Sequence, residues 1–139
     1  MKKKPCKITV TEQRVKDFGE VYTTDNLVKK ILDNISDLHK KSNSSFLEPS
    51  CGSGNFLVEI LEMKINNGFE IIDSLKKIYA VDILEDNVIL SRKRLFKKSI
   101  DLGLTAADYE KAIDIIKNNI IVGDMLRLDI NEAWGNSQV

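Results

Sequence analysis

Apolar side chains return at helical spacing through Leu27, Val28, Ile31, Leu32 and Ile35, a stripe that needs a core to face. The preceding Tyr22-Thr23-Thr24-Asp25 offers hydroxyls and a carboxylate to cap that helix, and Lys40-Lys41-Ser42-Asn43-Ser44 ends it. The short apolar stretch from Ser45 to Glu48, stopped by Pro49, reads as a first strand. Beyond Gly52-Ser53-Gly54, the residues Phe56, Leu57, Ile60, Leu61 and Ile65 predict a second helix, closed by Asn67-Gly68. A brief helical segment over 69–75 leads into Lys77-Ile78-Tyr79-Ala80-Val81-Asp82, a buried-looking strand that ends on an acid. A basic amphipathic helix follows, with Val88, Ile89, Leu95 and Phe96 inward and Arg92, Lys93, Arg94, Lys97 and Lys98 outward, yielding at Leu102-Gly103. Thr105 and Asp108 have the spacing of a capping pair for a further helix through Ile116. Asn119-Ile120-Ile121-Val122 is a third strand, ended by Gly123-Asp124.

Strands alternating with helices imply parallel strands joined by crossovers, with helices on both sheet faces. The expected class is α/β, a partial doubly wound parallel sheet preceded by an N-terminal helical segment. It divides into an N-terminal segment over 1–24, an α/β domain over 25–128 and a polar tail over 129–139.

With 139 residues the chain is sized for one hydrophobic core. Hydrophobic residues at 42% are enough to build it, and charged residues at 30% do not force disorder. Lys plus Arg (21) balance Asp plus Glu (21), which argues against a protein built mainly to coat nucleic acid. Cys6 and Cys51 form no metal-spaced pair and suit a reducing compartment. No apolar run is long enough to span a membrane, and Met1-Lys2-Lys3-Lys4-Pro5 lacks the apolar stretch of a secretory signal, so a cytoplasmic location is expected.

In such sheets ligands lie beyond the carboxyl ends of the strands, and three polar groups map there. They are Glu48 with the glycine turn, Asp82, and Asp124. The turn Pro49-Ser50-Cys51-Gly52-Ser53-Gly54-Asn55 lets backbone approach a ligand, and the helix after it offers N–H groups to an anionic end. Asp82 at the next strand end is placed to accept from ribose hydroxyls. A dinucleotide fingerprint would put a third glycine where Leu57 stands, with its acid earlier than Asp82. That disfavours a pyrophosphate and favours a nucleoside with a charged tail, a description that S-adenosylmethionine fits. A nicotinamide-dependent oxidoreductase shares the sheet and Asp82 but not the glycine spacing.

The run Phe46-Leu47-Glu48-Pro49-Ser50-Cys51-Gly52-Ser53-Gly54-Asn55-Phe56-Leu57 resembles the first cofactor motif of the N6-adenine DNA methyltransferases of restriction-modification systems. Lys16-Asp17-Phe18-Gly19-Glu20-Val21-Tyr22-Thr23-Thr24 resembles the family's N-terminal cofactor motif, with Thr24 where the family has proline. Tyr79-Ala80-Val81-Asp82-Ile83 resembles the second motif, and Asn119 to Leu126 the third. The resemblance implies a methyltransferase-type sheet that binds S-adenosyl-L-methionine and acts on DNA. By the same resemblance Thr23 and the turn from Ser50 through Cys51 and Gly52 to Gly54 hold the methionine part, with Tyr22, Asn55 and Phe56 also among the cofactor-binding residues. Asp82 takes the ribose, Ile83 covers one adenine face, Asp124 accepts from the adenine amino group, and Met125 lines the pocket. Glu48 either binds the cofactor amine or braces the turn.

The family reacts through an Asn or Asp, Pro, Pro, Tyr or Phe motif around an extruded adenine. This chain has two prolines, Pro5 and Pro49, which are not adjacent, so that motif is not in it. The chain therefore reads as an N-terminal cofactor-binding part, inactive alone. The alternative is a non-catalytic cofactor-binding or assembly subunit completed by a partner. With three strands, the first has an open edge that invites a partner chain or a homodimer. Beside these stand plainer readings: Cys51 as a small packing residue, the 92–98 cluster as a solvated face, Asp82 and Asp124 as strand-end caps, and His39 without function. Trp134 belongs either to a disordered tail or to an edge plug.

Overall fold

The computed structural model of the chain describes residues 24–35 and 41–135. Its strands β1 (Phe46–Glu48), β2 (Ile78–Asp82) and β3 (Ile120–Val122) form one open parallel sheet in the order β1-β2-β3. Glu48 lies level with Ala80, and Asp82 with Val122. The central strand therefore overhangs the end of β1 by two residues, which sets Asp82 beside the turn that follows Glu48.

Helix α1 (Asp25–Asp33) precedes the sheet, and α2 (Asn55–Asn66) with α3 (Ile71–Leu75) connects β1 to β2. Helices α4 (Glu85–Asp101) and α5 (Tyr109–Asn119) connect β2 to β3, and α6 (Ile130–Trp134) follows. The α2 stripe seats Leu57, Ile60 and Leu61 in one core with Ile78 and Ala80 of β2, Val88 and Leu95 of α4, and Ala112 and Ile116 of α5. Strand alternation sends Tyr79 to the opposite face. There its ring meets Trp134 edge-on, with centroids 5.3 Å apart. The Trp134 indole N–H also donates to the carbonyl of Asn118 at 3.0 Å. Trp134 thus packs against the sheet, and the expected polar tail begins with a helix.

Several expectations are corrected. Of the stripe on and after α1, Val28 and Leu32 are buried and Ile35 packs against the core, whereas Leu27 and Ile31 are 48% and 44% exposed and face outward. Ile89 was expected inward and is 43% exposed. The basic cluster is not one solvated face: Arg92 donates to the carbonyls of Ile120 (2.8 Å) and Lys117 (3.1 Å), and Lys98 pairs with Glu62 at 3.1 Å. Thr105 makes no side-chain cap, and a 3-10 turn over Ala106–Asp108 leads into α5, which runs on to Asn119. Thr24 does cap α1, accepting from the Leu27 N–H. No helix among the described residues is long and apolar enough to cross a membrane.

Candidate functional site

The three strand ends are joined by backbone and carboxylate hydrogen bonds. Cys51 N–H donates to Val81 O at 3.0 Å, and Gly123 N–H donates to Asp82 O at 3.0 Å. Between them the Asp82 carboxylate accepts from Gly52 N–H at 2.9 Å. The glycine turn, Asp82-Ile83 and Gly123-Asp124-Met125 therefore share one edge, as the sequence pattern requires.

Asp82 is buried, which a carboxylate tolerates only when hydrogen-bonded. Its Oδ1 accepts from Leu84 N–H (2.9 Å) and the Asn87 amide (3.3 Å), and Oδ2 from Gly52. A carboxylate offers about four acceptor directions, so one remains, on Oδ2. The side chain thereby ties the turn to β2, and one Oδ2 direction has no donor among the described residues.

Gly54 opens α2 in the left-handed region at φ 87°, with no side-chain cap on the helix. A Cβ there would lie 3.1 Å from Ser91 Oγ and 3.2 Å from Ser91 Cα, so glycine is required both by its backbone angle and by the approach of α4. Ser91 Oγ donates to Gly52 O at 2.9 Å. Arg94 donates to Ser53 O at 2.6 Å and to Asn55 Oδ1 at 2.8 Å. Helix α4 thus grips the turn from behind.

Glu48 Oε1 accepts from Ser50 N–H at 3.1 Å, a contact that braces the turn and involves one of its two oxygens. Burial pushes its carboxyl pKa up; the Ser50 hydrogen bond opposes this and the Asp82 charge adds to it. Cys51 is buried, and its thiol is pushed up to about 12, first by burial, against a hydrogen bond from Ser91 and with the charges of Asp82 and Glu48 adding. A thiol so held is a packing group, not a nucleophile. Phe56 packs against the core. Ser50 is exposed, Met125 is half-buried, and Ile83 and Val122 are 50% and 49% exposed at the strand ends. Asp124 accepts from Leu126 N–H at 3.0 Å and has Arg127 at 3.8 Å. Tyr22, Thr23 and His39 lie outside the described residues.

Sequence reasoning missed Asn87, Ser91 and Arg94. The signal was present for Ser91, a small polar residue between Val88 and Leu95 on an apolar stripe, where close approach of another backbone is the usual cause. Two surface clefts lie elsewhere, one between α1 and α2 around Leu32 and Met63, the other beside α3 around Ile72 and Leu104. No group of His, Cys, Asp and Glu among the described residues is arranged to hold a metal ion.

A family model described as N-6 DNA Methylase matches residues 8–118. No curated protein and no solved structure matches the chain.

Proposed function

The chain belongs to the N-6 DNA methylase family, and from that premise we propose that it is the S-adenosylmethionine-binding part of a site-specific DNA adenine N6-methyltransferase of restriction-modification type. The observation that carries this reading is the hydrogen-bonded convergence of the glycine turn, Asp82 and Gly123 on one sheet edge. The residues there suit the cofactor. Backbone of the turn and the start of α2 receives the amino-acid end, the remaining Oδ2 direction of Asp82 accepts from a ribose hydroxyl, and the half-exposed Ile83 gives an adenine ring an apolar face. Asp124 and Met125 complete the adenine side, and Tyr22 and Thr23 join the methionine side. The cofactor supplies a sulfonium methyl to the amino nitrogen of an adenine extruded from DNA.

The base-holding Asn-Pro-Pro-Tyr motif is not in this sequence, so in this reading other residues supply it, from a continuation of the chain or a partner subunit. Among the described residues β1 pairs with β2 alone, and its outer edge is the natural junction for either, a homodimer through it being the simplest case. A clean monomer by light scattering at high concentration contradicts the homodimer. A cytoplasmic location goes with this reading. Calorimetry tests the cofactor: saturable binding of S-adenosylmethionine with none of NADH is expected, and the reverse preference overturns the assignment in favour of an oxidoreductase. If the chain is instead a non-catalytic subunit, it binds the cofactor equally but yields methyl transfer only with its partner.

A further inference from the structure

Arg94 belongs to the basic run of α4, is half-buried, and turns its guanidinium under the glycine turn. It meets Ser53 O at 2.6 Å, Ser53 Oγ at 3.3 Å and Asn55 Oδ1 at 2.8 Å. That contact has three physical consequences. First, the carbonyls of Gly52 and Ser53 are held toward α4 by Ser91 and Arg94, and because the C=O and N–H of one planar peptide point oppositely, the N–H of Ser53 is aimed away from α4. Second, Gly54 N–H is already spent on Cys51 O at 2.8 Å, so the shape of the turn is fixed from both sides. Third, Arg94 brings a permanent positive charge to a turn that, among the described residues, also bonds the acidic side chains of Glu48 and Asp82.

We propose that Arg94 is a positioning residue that holds the Gly52 to Asn55 backbone in its receptive shape and makes the site select a ligand tail bearing a carboxylate. This rests on the S-adenosylmethionine reading and adds the group that sets tail specificity.

The test is a thermodynamic cycle between the Arg94 charge and the ligand carboxylate, read by calorimetry with S-adenosylmethionine and its decarboxylated analogue. Wild-type protein should prefer the carboxylated ligand by about tenfold, the scale of a charge-assisted contact. In Arg94→Gln that preference should fall below about threefold, while Arg94→Lys, which keeps the charge, retains most of it. Melting followed by circular dichroism establishes that each variant is folded, and Arg94→Met, which also removes the charge, serves if Arg94→Gln is not folded. A preference unchanged in the folded uncharged variant, or equal weakening toward both ligands in it, overturns the proposal and leaves Arg94 as a structural brace. Failure of wild-type protein to bind either ligand instead refutes the cofactor reading beneath it.

Discussion

Gly54 carries two constraints at once, a φ of 87° and the Ser91 backbone at 3.2 Å from any added Cβ. Gly54→Ala should therefore cost about 1 to 3 kcal/mol in urea unfolding, against the few tenths expected at an unstrained surface site. Lys64 is the other residue whose surroundings set its chemistry. It is buried, with its ammonium donating to Asn43 Oδ1 at 2.8 Å and Ser44 O at 2.6 Å and lying 5.0 Å from the centre of the Phe46 ring. Burial, with the charge of Lys77 adding, lowers its pKa from 10.5 to about 8. The unfolded chain then binds more protons than the folded one between those values, so stability rises with pH across that window and is lost as pH falls through it. Lys64→Met should flatten this rise, by on the order of 2 kcal/mol in unfolding free energy compared between about pH 7.5 and about pH 10. An equal rise in both proteins contradicts the burial account. Neither effect was legible beforehand in full: the glycine turn announced itself, but Lys64 sits among apolar periodic positions of α2 and gave no sign that a loop carbonyl would hold it.

At the scale of elements, periodicity located the strands and the main helices because each buries a regular stripe. Polar contacts between elements were not legible. Arg92 and Arg94 read as part of an outward charge run, since a run of five basic residues does not reveal that two of them find carbonyls of β3 and the glycine turn. Thr105 had capping spacing but the chain entered α5 through a 3-10 turn, which satisfies Asp108 N–H with Thr105 O instead. The five residues of α6 are too short to show a period, yet Trp134 fastens that helix to the sheet. Trp134→Ala should cost about 3 kcal/mol, measured by urea unfolding with circular dichroism because the chain's one tryptophan is removed. A loss below about 1 kcal/mol would show that α6 rests loosely on Tyr79.

For the whole molecule, the register of three strands does the essential work. Because β2 overhangs β1, its terminal acid stands where the turn after β1 passes, and one carboxylate locks two crossovers together. The same edge gathers exposed Ile83 and Val122, an apolar rim that a folded chain has no internal reason to leave open. The order of motifs along the sequence foretold this edge; the buried state of Asp82 and its three protein donors did not show, because they depend on side chains from α4 and the turn. The central claim is that this edge binds S-adenosylmethionine through Asp82. Its most direct test is a calorimetric titration of the purified chain and of folded Asp82→Ala with that cofactor. The account predicts saturable binding by the wild type and a loss of more than about tenfold in the variant. Absent binding, or equal affinity in the two proteins, contradicts it.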